Sequence, residues 1–188
     1  MYINPEIESS YYKNNLGKTL YEWVLKTKPT KVIEFGCLYG YSTIAIGLAL
    51  KHLGHGKIKC YDLFENYQYK HSTIQQTIEN VKLYGIEDYV EFIQMDYYEW
   101  LSNPEDFDLM HLDISNTGDV ILETYNALKN KIEMGSIVLF EGGSKERDNV
   151  EWMIKYKATP INSVKDQTQY YIINPNFPSL SSLKNEYK

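Results

Sequence analysis

Apolar positions along this chain switch regularly between a helical and an extended period. Leu16, Leu20, Trp23 and Val24 share one helical face with Lys18, Glu22 and Lys26 opposite, and Pro29 stops the run. Residues 31–35 then read as a short strand ending at Gly36. Residues 42–53 are apolar nearly all round, the pattern of a helix buried against a sheet, and Gly54 and Gly56 end it. Residues 57–61 form a second strand that closes on Asp62. Ile74, Ile78 and Val81 make the stripe of the next helix, which Gly85 closes. Residues 89–93 and 107–112 are further strands, running to Asp96 and Asp113. Ile121, Tyr125, Leu128 and Ile132 are spaced for another helix, and residues 136–140 make a fifth strand followed by Glu141, Gly142, Gly143 and Ser144. A last helix is expected over residues 146–156, then two short strands over 161–164 and 169–173.

Strands that alternate with helices predict an α/β fold with right-handed crossovers and a parallel sheet covered on both faces. The expected architecture is a Rossmann-like, doubly wound, mostly parallel sheet of about seven strands, closed by a C-terminal antiparallel β-hairpin. At 188 residues the chain is expected to be a single domain over 1–188, with its core at 14–174 and a surface tail at 175–188. Hydrophobic residues at 43% and charged residues at 23% exclude wholesale disorder. The formal net charge is -6, and the 19 Lys and Arg are scattered. Nucleic-acid grooves and anionic membranes select clustered positive charge, so neither partner is expected. No apolar run reaches ~18 residues, so no spanning helix is expected. No basic-then-apolar leader opens the chain, and two cysteines are too few for a disulfide framework, so a cytoplasmic location is expected. The 18 tyrosines, in a chain whose sole arginine is Arg147, read as the composition of an AT-rich genome.

In parallel sheets of this kind, ligands bind outside the carboxyl ends of the strands. Those ends are Gly36, Asp62, Asp96, Asp113 and Glu141. A single acid there serves equally well as a helix cap or a turn residue, but four in order point to a site. The first strand–turn–helix carries Glu34, Gly36 and Gly40 in the spacing E-x-G-x-x-x-G. Glycines let the turn run tightly, and the amides opening the next helix suit a carboxylate or phosphate. Asp62 suits a ribose hydroxyl pair, and Asp96 an adenine amino group. A dinucleotide fingerprint from Gly36 needs glycine at positions occupied by Leu38 and Tyr41, so it fails.

The run Glu34-Phe-Gly36-Cys37-Leu-Tyr-Gly40, with the acids that follow, resembles motif I and the later motifs of class I S-adenosylmethionine-dependent methyltransferases. The stretch from Phe107 through His111 to Asp113, with Ile137 to Glu141, is similar to the small stand-alone members related to the catechol O-methyltransferase-like group. The resemblance implies that Gly36, Cys37, Gly40 and Tyr41 line the cofactor and that Ser42 helps hold its methionine carboxylate. It gives Glu34 to the loop or the methionine amine, Asp62 to the ribose, Asp96 and Tyr97 to the adenine, and Asp113 to the cofactor side. Cys37 reads as a small residue under the cofactor rather than a nucleophile.

Methyl transfer is an in-line displacement, so alignment and exclusion of water carry much of it, and a hydroxyl acceptor also needs a base or a cation. His111 and Asp113, two apart on a strand, share a face. His111 reads either as that base or as a core histidine. Asp113 and Glu141 can share Mg²⁺ or another divalent cation through hard oxygens. Gly142 stands where metal-dependent members carry a second acid or amide, leaving Asn116 or Asp119 to fill the gap. Tyr11, Tyr12 and Arg147 are candidates for the acceptor pocket, with Arg147 equally able to pair with Asp148 or Glu151 on the surface. The expected protein is an S-adenosylmethionine-dependent methyltransferase acting on an oxygen of a small molecule, sugar-like or phenol-like. The alternatives are a non-catalytic S-adenosylmethionine-binding module and an NAD-dependent oxidoreductase. A homodimer stays open.

Overall fold

The computed structural model describes residues 2–9, 11–12, 16–69, 71–114, 118–142, 159–160 and 169–173. They fall into two compact units, Met1–Leu109 and Met110–Lys188, described in turn.

The first unit runs α1 (Leu16–Thr27), β1 (Lys31–Phe35), α2 (Tyr41–Leu53), β2 (Lys57–Asp62), α3 (Ile74–Leu83), β3 (Val90–Gln94) and α4 (Tyr97–Ser102). β2 lies parallel between β1 and β3, with Glu34 opposite Cys60 and Cys60 opposite Phe92. The all-apolar helix is buried as its pattern predicts, with Ile44, Ala45, Ile46, Ala49 and Leu50 inaccessible to solvent. It starts after Gly40 and stops at Gly54, both in left-handed backbone at φ 90° and 74°. α3 opens on a capping box, Thr73 accepting from the Gln76 amide while the Gln76 side chain accepts from the Thr73 amide. An aromatic layer, Phe35, Tyr61, Tyr97 and Trp100, packs under the carboxyl ends of β1 and β2 at ring separations near 5–6 Å.

Ahead of α1, residues 2–9 and 11–12 lie back against the helices. Ile7 packs on the Ile44, Val81 and Ile86 cluster. The Tyr41 hydroxyl donates to Asn4 Oδ1 at 2.5 Å, and the Glu6 amide donates to the Tyr84 hydroxyl at 2.8 Å. Several of the numerous tyrosines thus serve as hydroxyl ties, a use that composition alone did not suggest.

The pattern predicts a strand from residue 107, but β4 spans Leu109–Leu112. The reason is Asp108, which turns back to the start of β1. Its Oδ2 accepts from the Thr30 amide (2.7 Å), the Thr30 hydroxyl (2.8 Å) and the Lys31 amide (3.0 Å). Partial burial opposes ionisation, but the Lys31 and Thr30 donors hold the carboxyl below its ordinary value of 3.8. A depressed carboxyl stabilises the fold above that value and stops doing so as the pH falls through the folded value. Asp108→Ala should therefore cost about 1 kcal/mol in urea denaturation at neutral pH. The deficit should shrink in the acid below pH 3.8. α4 is absent from the hydrophobic pattern because its six residues are too few to show a period.

The second unit holds α5 (Gly118–Glu133), β5 (Ile137–Gly142), β6 (Thr159–Pro160) and β7 (Gln169–Ile173). Val120, Thr124, Leu128 and Ile132 are buried along α5, four residues apart. β5 runs to Gly142, beyond the Phe140 end that the pattern predicts. It is held there by antiparallel β7, with Glu141 opposite Tyr170 and Gly142 opposite Gln169. β6 pairs antiparallel with β7, Thr159 facing Ile172. The expected strand at 169–173 is β7. The expected helix at 146–156, the strand at 161–164 and the tail at 175–188 lie outside the described residues. No helix among the described residues is long and apolar enough to cross a membrane.

Candidate functional site

The turn between β1 and α2 is built from left-handed backbone, with Gly36 at φ 85°, Leu38 at 44° and Gly40 at 90°. Only glycine adopts such angles without strain, so Leu38 must be held there. The bracing comes from two sides. On one side, Asp62 Oδ2 accepts from the Cys37 amide at 2.6 Å and the Leu38 amide at 3.3 Å. On the other, the Leu38 carbonyl accepts from the hydroxyls of Ser72 and Thr77, and Asn80 Nδ2 donates to the Tyr39 carbonyl at 2.9 Å. A Cβ on Gly40 would lie 3.1 Å from Thr77 Cγ2, so α3 crowds the turn closely.

Beneath the turn, Glu34 is fully buried. Its Oε2 accepts from the Thr43 hydroxyl, fastening β1 to the first turn of α2, with Cys60 Sγ at 3.5 Å. Cys37 and Cys60 are both buried free thiols. Burial pushes the Cys37 thiol well above its ordinary value and the Cys60 thiol to about 11. Because the thiolate is the reactive form, a disulfide reagent should modify both cysteines at least about a hundred-fold more slowly in the native protein than in urea. Fast native labelling would contradict the burial. Glu34, Cys37 and Cys60 place ligand-type atoms within 4.8 Å of one another, the one such trio among the described residues. It lies away from Asp113 and Glu141 in sequence.

Asp62 ends β2 and is nearly enclosed, its side chain 7% exposed. Besides the two loop amides, Oδ1 accepts from the Phe64 amide at 3.0 Å and lies 2.9 Å from His71 Nε2. Burial alone would raise this carboxyl, but His71 and the Phe64 and Cys37 amides hold it below the ordinary value. Asp96 follows β3 and caps α4, with Oδ1 accepting from the Tyr98 amide at 2.8 Å. Tyr97 is buried with its ring edge-on to Phe35 at 5.0 Å. Ser42 is buried in the first turn of α2, and the Tyr41 hydroxyl points to the N-terminal segment. Gly36, Cys37, Gly40, Ser42, Glu34 and Asp62 thus come together around one turn, and Tyr41 turns its polar end away.

In the second unit His111 is fully buried within β4, and Asp113 follows it partly exposed. Glu141 lies within β5 rather than beyond its end, and its side chain is outside what is described. Arg147 and Asn116 lie outside the described residues. Tyr11 is buried at 4% exposure while Tyr12 is 42% exposed. His71, Ser72, Thr77 and Asn80 were not anticipated. Of these only the α3 region carried a signal, the Thr73-x-x-Gln76 capping pattern.

A family model described as a methyltransferase domain matches residues 33–141. No curated protein matches the sequence. Three solved structures are similar. A Klebsiella pneumoniae protein assigned as an O-methyltransferase is 17% identical at a TM-score of 0.65, with 90% of this chain and 82% of that one covered. The O-methyltransferase TomG of Streptomyces achromogenes, involved in tomaymycin synthesis and solved with SAM, is 17% identical at 0.63, with 89% and 81% covered. An O-methyltransferase of Bacillus cereus solved with SAH is 17% identical at 0.63, with 90% and 82% covered. These likenesses show an α/β, Rossmann-like fold.

Proposed function

Because the chain belongs to the methyltransferase domain family, we propose that it transfers the methyl group of S-adenosylmethionine to an oxygen of a small molecule. The observation that carries this is the turn from Gly36 to Gly40, bare of side chains at its two glycines and fastened to a carboxylate at the end of β2. The residues present fit the cofactor. Asp62 offers a carboxylate to a ribose diol, and the first amides of α2 with Ser42 suit the methionine carboxylate. Glu34 supports the turn from below. One oxygen of Asp96 caps α4, and our reading gives its other oxygen to the adenine amine, with Tyr97 as the wall.

When bound, the cofactor supplies a methyl group on a sulfonium whose thioether leaving group is neutral. The chain's own tasks are therefore to align the acceptor, exclude water and take the acceptor proton. We assign that proton to a ring nitrogen of His111 and give Asp113 and Glu141 the role of steadying the acceptor oxygen, through a divalent cation if one is bound. Tyr12 and Arg147 are assigned to the acceptor. The seven-stranded sheet with a C-terminal hairpin is the matching reading of the whole chain as one cytoplasmic domain, supported by β7 running antiparallel to β5 and β6.

Calorimetry with S-adenosylmethionine, S-adenosylhomocysteine and NAD tests the reading. Heat from the first two is expected. Heat from NAD alone would replace the reading with an oxidoreductase. Binding without turnover on any hydroxylated acceptor would favour a non-catalytic module. Turnover that survives a chelator would remove the cation from the Asp113–Glu141 pair.

A further inference from the structure

Asp62 is the group that the proposed function gives to the ribose, yet both of its oxygens are already in contact with other groups. Three amides donate to it, those of Cys37, Leu38 and Phe64, and His71 Nε2 stands 2.9 Å from Oδ1 as an ion-pair contact. An ionised carboxylate has about four lone-pair positions. A ribose diol brings two O–H donors and needs the place beside Oδ1 that His71 holds.

The donors differ in freedom. The Cys37 and Leu38 amides belong to a turn closed by the Gly40 amide on the Cys37 carbonyl at 2.7 Å, and two hydroxyls grip the Leu38 carbonyl. The Phe64 amide opens a short 3-10 turn over a fully buried ring. His71 alone is a side chain, and its ring packs at 5.4 Å on Tyr67, itself 41% exposed. Rotating His71 out therefore leaves the Cys37, Leu38 and Phe64 amide bonds in place.

We propose that His71 is an internal stand-in for the ribose diol: it occupies the diol's place on Asp62 and leaves when the nucleoside arrives. The inference rests on the S-adenosylmethionine reading and deepens it. Cofactor binding then competes with an intramolecular partner of Asp62, and apparent affinity scales with the fraction of molecules in which His71 is already out. The two exposed aromatic rings beside it, Tyr67 and Tyr69, give the displaced imidazole a surface to rest on.

S-adenosylhomocysteine is titrated by calorimetry into wild type, His71→Phe, His71→Ala and His71→Gln. The variants without a donor should bind about 3- to 10-fold tighter, and the glutamine variant, which restores an N–H, should bind like wild type. The gain should vanish for an analogue lacking the 2′,3′-diol, which a merely structural role of His71 would not produce. Unchanged or weaker binding by a natively folded His71→Phe overturns the proposal. Should the variants not fold, the ring C–H resonances of His71 in wild type decide. Their move to the positions of an exposed imidazole at saturation supports the proposal, and their persistence overturns it. If wild type binds no S-adenosylhomocysteine, the cofactor reading itself fails and the proposal with it. If wild type binds and His71→Phe matches it, the proposal alone fails.

Discussion

Asp62→Ala should lower stability by about 3 kcal/mol and abolish measurable binding of S-adenosylhomocysteine. The carboxylate is almost enclosed and holds donors from both loops that flank it. Truncating it leaves buried amides unpartnered, at roughly 1–3 kcal/mol for each group that water cannot reach. It also frees two strained residues, because Leu38 at φ 44° and Phe64 at φ 47° both donate to this carboxylate. In a chain of this size, ~3 kcal/mol corresponds to a fall in Tm of roughly 6–12 °C, readable by calorimetric melting. Acid should mimic the substitution. The folded carboxyl lies below its ordinary value of 3.8. Its contribution is thus complete above that value and is lost as the pH falls through the lower, folded value. An Asp62→Ala protein melting within about 1 °C of wild type would refute the bracing role.

Gly40→Val is the second large effect expected. Gly40 sits at φ 90° immediately before α2, and an added Cβ meets Thr77 Cγ2 at 3.1 Å. Left-handed backbone costs an L-residue about 1–2 kcal/mol, and a β-branched side chain adds the clash with α3. A total near 3 kcal/mol is expected in denaturant unfolding, with Gly40→Ala at about half of that. Cofactor affinity should fall further than stability does, since the branched side chain covers amides that the proposed function gives to the methionine carboxylate. Thr77→Ser, which removes the crowding methyl and keeps the hydroxyl on the Leu38 carbonyl, should recover part of the stability of Gly40→Ala. No recovery would place the strain in the backbone angle alone.

Much of the first unit was legible because each strand is short, apolar and closed by Gly36 or an acid. β1 matches its expected bounds, and the helix that is apolar all round is the one sealed in the core. What escaped did so for physical reasons. α4 has no period to display. β4 begins late because of Asp108, whose partners lie at Thr30 and Lys31. The acids at the strand ends were legible as a set, but their uses were not. Asp62 serves three amides from two loops and meets His71 as well, and Asp96 spends an oxygen on capping. Tyr41 sits in the motif, yet Asn4 recruits its hydroxyl. Such contacts arise from folding distant segments together, which local spacing does not encode.

The clasp between Asp108 and Thr30, like that between Glu6 and Tyr84, joins residues 78 apart in sequence. Neither can close on a growing chain until its far partner has been made. At roughly 5–20 residues per second, translation leaves the start of β1 unfastened for several seconds. During that interval the apolar strand Lys31–Phe35 and the all-apolar helix behind it are exposed together. The nascent chain, more than the finished protein, is where this fold is most open to aggregation and to capture by chaperones. A pause in translation before residue 108 would lengthen that exposure without changing a single native contact.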